Sequence, residues 1–260
     1  MAKGHTDTSP LVDGPPDSST KRKRVEEPVQ KSTHSKRRKS RKPKDIQDDE
    51  IDQEQKVNKG ISRMDSVLLA DLIVQRTKRF EPELSSVELE DKHIPSKAIF
   101  DTTVWQEDRT VDQLPNFLEK FAEDKLSVCP KPNGSPHTLV LAMAGLRAAD
   151  LARSLRKFQT KDALIAKLFA KHIKLNEAIE SCKRYRMNIG VGTPQRVLDL
   201  LEAGCLSTDH LKRIVLDASY VDPKKRGVMD MKEVTVPLTK LLSRPELKSK
   251  YGVDLQILFF

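Results

Sequence analysis

The residues that come nearest to phosphate chemistry in this 260-residue sequence are a glycine-containing segment at 134–138 and an isolated aspartate, Asp217. A phosphate-binding loop needs the spacing Gly-x-x-x-x-Gly-Lys-Ser/Thr, because its backbone N–H groups and its lysine neutralise the phosphates. Gly134 is followed instead by a serine, a proline and a histidine, and no Gly-Lys pair occurs anywhere in the sequence. We interpret 134–138 as a turn, so no nucleotide phosphate site is predicted there.

The composition argues against several other classes of protein. The three cysteines, Cys129, Cys182 and Cys205, are widely spaced, which favours a reducing compartment over a disulfide framework or a zinc site. Single histidines such as His172 or His210 are more often surface or capping residues than ligands, so we expect no metal or other cofactor. No apolar run approaches the roughly 20 residues of a membrane span, and the polar start lacks a signal core, so we expect neither membrane insertion nor secretion.

Short apolar runs and amphipathic segments alternate between residues 116 and 260. Continuous apolar runs are typical of buried parallel strands, and they occur at 138–142, 187–191, 213–217 and 255–260. Helices are predicted at 148–158, 162–172, 176–186, 194–201 and 234–242, the last one interrupted near Pro237. This alternation predicts an α/β fold: a three-layer arrangement of a parallel sheet with helices on both faces. Ligands of such sheets bind at the carboxyl ends of the strands.

The segment before this domain, residues 63–115, is predicted to be a helix followed by an arm. Apolar residues recur at helical spacing between residues 64 and 80, with Asp65 or Ser66 as the expected N-cap. Prolines then break the chain at several positions. We expect an extended arm with short helices that packs on the domain behind it.

The net charge of +9 is concentrated near the start of the chain. The first 44 residues hold 13 Lys and Arg against 5 acids, whereas residues 45–260 hold 34 against 33. Residues 1–62 also lack aromatic residues, so we expect a disordered tail. Two basic clusters in it predict nuclear import signals bound by import receptors, the alternative being a solvated tail without a partner. The clusters are Lys21, Arg22, Lys23 and Arg24, and Lys36, Arg37, Arg38 and Lys39.

Four segments resemble, in the same order, motifs of the DEAD-box RNA helicases. Residues 139–147 resemble the strand and turn of their Pro-Thr-Arg-Glu-Leu motif, and residues 192–196 resemble Thr-Pro-Gly-Arg. Residues 214–220 resemble Val-Leu-Asp-Glu-Ala-Asp, and residues 256–260 resemble the strand that leads into Ser-Ala-Thr. The resemblance implies a single RecA-like domain, similar to the N-terminal lobe of these enzymes.

The catalytic residues of the family are not retained in the segment Asp217, Ala218, Ser219 and Tyr220. Asp217 stands where the helicases have the aspartate that helps to hold magnesium, but Ala218 replaces the glutamate that polarises water, and Tyr220 replaces the second aspartate. Without a general base or a phosphate loop, attack on a γ-phosphate has no support. We expect no ATPase activity, no small-molecule substrate, and a role for Asp217 in hydrogen bonding at the end of a strand.

The resemblance also implies contacts with the sugar-phosphate backbone of RNA at two helix N-termini, which suit phosphate oxygens. The candidate residues are Gly145, Leu146 and Arg147 at the first helix, and Gly192, Thr193, Pro194 and Arg196 at the second. The alternative is that Pro194 and Arg196 only begin a helix and pair with a nearby acid. Basic strips at 183–186 and 224–226 are further candidates for phosphate or acidic-protein contacts, or simply solvated surface.

A wider set of segments, at 75–80, 145–150, 190–194 and 256–260, resembles the Cms family (CMSS in vertebrates) from about residue 63 to residue 260. These are nucleolar proteins of the early small-subunit (90S) pre-ribosome. The resemblance implies a non-enzymatic ribosome-biogenesis factor in the nucleus and nucleolus, with pre-ribosomal RNA and 90S assembly proteins as partners. Two alternatives stay open: a nuclear protein-interaction module in DNA replication or cell-cycle control, and a divergent ATPase completed by a partner.

Overall fold

The computed structural model describes residues 50–170 and 173–260, and it begins with a small hairpin and a long helix. Strands β1 (Ile51–Asp52) and β2 (Val57–Asn58) are antiparallel. Helices α1 (Lys59–Ser62), α2 (Ser66–Phe80), α3 (Ser86–Asp91) and α4 (Leu114–Phe121) follow. The Asp65 carboxylate accepts the N–H groups of Val67 and Leu68 at 3.0 and 2.9 Å, which confirms the predicted N-cap of α2. The predicted disordered tail is wrong for residues 51–62, which include β1, β2 and α1. The basic clusters at 21–24 and 36–39 and residue His172 lie outside the described residues.

The remainder of the chain alternates strands and helices around one sheet. Its strands are β3 (Thr138–Leu141), β4 (Leu164–Leu168), β5 (Met187–Gly192), β6 (Arg213–Leu216) and β7 (Gln256–Phe259). Its helices are α5 (Gly145–Ser154), α6 (Leu175–Arg184), α7 (Pro194–Glu202), α8 (Lys232–Leu242) and α9 (Pro245–Lys248). All neighbouring pairs are parallel, in the order β4-β5-β3-β6-β7. The four predicted strands and the parallel α/β sheet are thereby confirmed.

Helices cover both faces of this sheet, so the predicted three-layer arrangement is confirmed. One apolar core lies between the sheet and helices α4 and α5, and it includes Phe117 and Leu151. The other core lies between the opposite face and helices α2, α6, α7 and α8, and it includes Leu69, Leu198 and Leu241. β3, β5 and β6 are buried along their whole length, as strands covered on both faces must be.

The predicted helix at 162–172 is wrong, because residues 164–168 form strand β4 beside β5. Glycines in β5 make this pairing close. A Cβ atom added to Gly190 would lie 2.7 Å from Cδ1 of Leu168 and 2.9 Å from Cδ2 of Leu139. The helical pattern was ambiguous, since a short apolar run fits either element, and the long-range pairing with β5 decided between them.

The predicted interruption of α8 at Pro237 is also wrong, because the helix continues through this residue. The hydrogen bond that a proline cannot make would go to the carbonyl of residue 233, four positions back. Glu233 lies in the exposed first turn, where water can solvate its carbonyl. The predicted turn is present at Gly134, which has a φ of +62°, and residues 135–137 connect it to β3, which begins at Thr138.

The arm after α3 covers the outer edge of β7. Ile99 forms a parallel bridge with Ile257, and the N–H of Phe100 donates to the Ile257 carbonyl at 2.8 Å. The ring of Phe117 packs edge-on against that of Phe260 at 4.9 Å between centroids. Phe260 is fully buried, which confirms the interpretation of the last residues as the buried end of a strand.

Candidate nucleic-acid interface

The carboxyl ends of β3 and β6 lie side by side at the point where the chain connections diverge. The connection from β3 crosses β5 to reach β4, whereas the connection from β6 leads to β7 on the other side. Ligands of open parallel sheets bind in the crevice at such a switch point. Here that crevice lies between residues 145–147, which begin α5, and residues 217–220, which follow β6.

An ion pair between Arg147 and Asp217 occupies this position. Nε of Arg147 donates to Oδ2 of Asp217, and Nη2 donates to Oδ1, both at 2.8 Å. The Asp217 side chain is 1% exposed and the Arg147 side chain 11%. Burial disfavours the charged guanidinium, but the hydrogen bonds and charge of Asp217 outweigh it and raise the pKa of Arg147. Both carboxylate oxygens of Asp217 therefore accept hydrogen bonds from within the protein.

Tyr220 covers the other side of the same guanidinium. Its ring centroid lies 4.1 Å from Cζ of Arg147, a distance at which a cation is attracted to the face of an aromatic ring. Burial raises the pKa of the Tyr220 hydroxyl, although the charge of Arg147 opposes the shift. The tyrosine that replaces an acid of the DEAD-box motif therefore contributes to holding Arg147 in place.

The segment after β6 is held by the main chain from two directions. The N–H groups of Ala218 and Ser219 both donate to the Phe260 carbonyl at 2.8 Å. From the other side, the N–H of Asn58 donates to the Ser219 carbonyl at 2.7 Å, and the N–H of Val221 donates to the Lys56 carbonyl at 2.9 Å. The β1–β2 hairpin is thus joined to this segment, whose conformation is fixed by the N-terminal and C-terminal ends of the domain.

The second candidate turn lies at the end of β5, next to β3. The N–H of Thr193 donates to the Leu168 carbonyl at 3.2 Å, and the ring of Pro194 is buried. Nη1 of Arg196 donates to the Ile173 carbonyl at 3.1 Å, so this arginine bonds to the main chain rather than to an acid. Gly192 is buried against β4, where a Cβ atom would collide with the main chain of Leu168. A glycine is therefore required at position 192 because β5 approaches β4 closely there.

The two predicted helix N-termini share one edge of the sheet, because β3 and β5 are adjacent and parallel. Neither Ala144 nor Thr193, the respective N-cap residues, accepts a hydrogen bond from its helix with its side chain. The first N–H groups of α5 and α7 are left for solvent or a ligand. Leu146 is 63% exposed in the first turn of α5. The predicted RNA contacts of these turns stay a prediction, now resting on main-chain groups rather than on Arg147.

Sequence reasoning missed the partner of Asp217. The pair is separated by 70 residues, so no local pattern connects the two side chains. The available signal was the loss of the second acid of the motif: an aspartate left alone at a buried strand end needs a cation. Within the described residues, no helix is long and apolar enough to cross a membrane, and no three His, Cys, Asp or Glu side chains are grouped to hold a metal ion.

The parallel sheet, its two helical layers and the switch point between β3 and β6 define the structural class, a doubly wound three-layer α/β domain. The RecA-like fold implied by the sequence resemblance is of this class. Residues 13–260 match the family described as CMS1, a subunit of the U3-containing 90S pre-ribosomal complex. The chain belongs to the CMS1 family, which confirms the resemblance found in the sequence. This membership supports a role in ribosome biogenesis.

Curated proteins that are similar to the chain carry the names of the same family. The chain is 52% identical to protein CMS1 of Chaetomium thermophilum over 218 residues, covering 83% of this chain and 87% of the relative. It is 35% identical to protein cms1 of Schizosaccharomyces pombe, covering 64% of this chain and 58% of that one. The human protein CMSS1 is 28% identical over 60% of this chain and 54% of its own length.

Solved structures similar to the chain include a DEAD box protein from Methanococcus jannaschii, at 19% identity and a TM-score of 0.36, over 68% of this chain and 47% of that one. Another is yeast Dbp5 bound to Nup159 and Gle1, at 18% identity and a TM-score of 0.37. That match covers 51% of this chain and 31% of the solved chain. The chain thus spans less than half the length of each of these solved chains.

Proposed function

We propose that this protein is a non-enzymatic assembly factor of the nucleolar 90S pre-ribosome, also called the small-subunit processome. Its RecA-like domain binds pre-ribosomal RNA, assembly proteins or both, and its basic tail is bound by import receptors. The family description supports membership in the 90S pre-ribosome, and the DEAD-box resemblance supports binding of RNA. The observation that carries the absence of catalysis is the Arg147–Asp217 ion pair, because it fills the crevice where a nucleotide site would lie.

The ion pair opposes nucleotide hydrolysis in two ways. The Asp217 carboxylate is buried, and its charge is neutralised by a guanidinium bonded to both oxygens, so it attracts a magnesium ion less than a free carboxylate does. The residue after it is Ala218, which carries no group to activate water. We therefore expect no ATP hydrolysis above background when the purified chain is assayed with and without RNA. RNA-stimulated hydrolysis that disappears in the double variant Arg147→Met, Asp217→Leu, which leaves no unpaired buried charge, would support the partner-completed ATPase instead.

RNA contact is proposed at the N-termini of α5 and α7. No side chain caps the first N–H groups of these helices, which share one edge of the sheet and are suited to bond phosphate oxygens. Such contacts bring affinity without base specificity. The domain is almost neutral overall, so a few placed main-chain groups, and not bulk charge, must supply the interaction.

Crosslinking of the protein in cells, followed by sequencing of the bound RNA, tests this site. We expect enrichment of small-subunit precursor RNA, and loss of it in the double variant Leu146→Glu, Thr193→Glu, which places negative charges beside the two helix starts. The control is Val87→Glu, Val253→Glu, at side chains that are 70% and 81% exposed elsewhere. Equal crosslinking by wild type and the Leu146 and Thr193 variant would favour a module that binds only protein, including one in DNA replication.

A further inference from the structure

The outer edge of strand β4 is an open edge of the sheet. β4 pairs with β5 on one side, and no other described segment pairs with its opposite side. On the side of β4 that faces β5, the Leu168 carbonyl accepts a hydrogen bond from the Thr193 N–H. Because main-chain groups alternate in direction along a strand, the N–H and carbonyl of Lys167 point to the open side. Such an edge is a template for another extended chain.

A cleft of about 1040 Å³ lies along this edge. Its apolar floor consists of almost fully buried side chains on both faces of the sheet, Ile165 on one face and Ala178 and Met187 on the other. Its walls come from the segment after α5 and from α6, where the exposed ring of Tyr185 lines one end. An apolar floor beside a free main-chain edge suits a strand that places alternate side chains into the cleft.

The charged side chains that line the cleft are all positive. Arg156, Lys161 and Lys167 line it, all three are exposed, and none of them forms an ion pair with a described residue. No Asp or Glu is among the lining residues. Elsewhere on the described surface, several cations are neutralised locally, as Lys157 is by Glu119 and Lys240 by Glu202. Three unpaired cations around an apolar floor complement a ligand with carboxylates beside aliphatic side chains.

We propose that the outer edge of β4 binds an extended acidic segment of a partner protein, which adds to the sheet as a sixth strand. Its main chain pairs with the Lys167 N–H and carbonyl, its carboxylates pair with Arg156, Lys161 and Lys167, and an aliphatic side chain enters the apolar floor. RNA lacks the alternating main-chain donors and acceptors that this edge requires. The site uses the open side of β4, whereas Thr193 at the start of α7 lies on the β5 side of that strand. It binds a peptide main chain instead of phosphates, so it goes beyond the RNA contact proposed above and stands or falls separately.

A peptide library tests this proposal with the full chain. Random peptides of about ten residues, the length of a strand, are displayed on phage and selected on the immobilised protein. Selected sequences are then synthesised with a fluorophore and titrated by anisotropy. We expect enrichment in Asp and Glu alternating with aliphatic residues, and slower hydrogen exchange of the Lys167 amide in the complex.

The decisive variant is Lys161→Glu, Lys167→Glu, which reverses two of the three charges at exposed positions. We expect the selected peptides to bind about tenfold more weakly or worse, because two attractive pairs become repulsive. The matched control is Lys224→Glu, Lys232→Glu, with the same change of net charge at exposed sites outside the cleft, and it should bind as wild type does. Three results would overturn the proposal: no acidic enrichment, equal affinity for both variants, or protection of the Lys167 amide by a single-stranded RNA but by no peptide.

Discussion

Nη1 of Arg109 donates to the main-chain oxygen of Phe259 at 2.6 Å, so a side chain of the arm holds the last strand of the sheet. Nη2 donates to the carbonyl and the hydroxyl of Thr102, both at 3.0 Å, and the guanidinium lies 5.6 Å from the ring centroid of Phe117. Arg109 is 1% exposed, and no described carboxylate forms an ion pair with it. Burial lowers its pKa to about 10. Carbonyl dipoles and a ring face thus stabilise a buried cation that joins the arm to the domain.

Replacing this arginine should destabilise the domain strongly. Arg109→Ala removes the guanidinium hydrogen bonds to the carbonyls of Phe259 and Thr102, which keep only the Thr102 hydroxyl and the Trp105 N–H as donors, and it creates a cavity. We expect a loss of about 3 kcal/mol in the free energy of unfolding. Urea denaturation followed by circular dichroism measures it. The control is Arg153→Ala, at an exposed arginine paired with Asp150 on the surface, which should change stability by less than about 0.5 kcal/mol. Equal losses of stability in both variants would show that the buried contacts of Arg109 contribute no more than a surface ion pair.

The Arg147–Asp217 pair should behave as a coupled unit. Arg147→Met leaves a buried carboxylate unpaired and should cost about 3 to 5 kcal/mol of stability. The double variant Arg147→Met, Asp217→Leu should recover most of that loss, because an apolar pair of similar volume often replaces a buried ion pair without cost. Denaturation of the two single variants and the double variant gives the coupling energy. Additive losses would contradict the pairing.

This coupling also decides which variants can report on RNA. Arg147→Glu would place two carboxylates together in a buried site, so loss of complexes in such a variant would reflect unfolding. Substitutions at exposed Leu146 and half-exposed Thr193 avoid this problem and keep the ion pair intact.

His137 should make the domain less stable in mild acid. It is 3% exposed, and its ring nitrogens contact the Thr138 hydroxyl at 2.8 Å and the Leu126 carbonyl at 3.2 Å. Burial, followed by the charge of Arg213, lowers its pKa. Below the unfolded value of about 6.5 the unfolded chain binds a proton that the folded chain refuses, so stability falls with falling pH.

The expected loss attributable to His137 is about 1 kcal/mol between a pH of about 7.5 and a pH of about 5.5, measured by urea denaturation. His137→Gln should remove this pH dependence, whereas His93→Gln, at a half-exposed histidine, should retain it. Titration of the neighbouring Asp124 carboxylate does not interfere with this measurement. Burial raises its pKa, but Lys212 and Arg213 outweigh burial and lower it, so it titrates at more acidic pH. An unchanged pH dependence in the His137 variant would contradict this assignment.

The basic clusters at 21–24 and 36–39 should control entry into the nucleus. Exchanging their Lys and Arg residues for Gln should leave the protein in the cytoplasm, because import receptors bind dense cationic segments. The chain has a mass of only 29.5 kDa, so it should be fused to a carrier large enough to prevent passive diffusion. The nuclear-to-cytoplasmic fluorescence ratio measures the effect, with Lys224→Gln, Lys225→Gln as the control. Nuclear accumulation of the cluster variant would contradict the prediction.

The sequence by itself determined the features that depend on neighbouring residues. The cap at Asp65, the helix start at Pro194 and four apolar strands follow from local hydrogen bonding and periodicity, and the structure confirms them. The given sequence also contains no Gly-Lys pair, which a phosphate-binding loop requires, and this could be read from residue types alone. The alternation of these elements was sufficient to predict the parallel sheet, and the motifs at 145–150, 190–194 and 256–260 indicated the family.

Tertiary structure decided the rest, because the remaining properties depend on which strands become neighbours. Residues 164–168 became a strand only when Gly190 and Gly192 allowed β5 to approach them. Arg109 and Phe259 are 150 residues apart in sequence, and no periodicity predicts that they meet. The motif predicts that Arg147 contacts RNA, yet the adjacency of β3 and β6 brings it to Asp217, a buried negative charge that requires a cation as its partner.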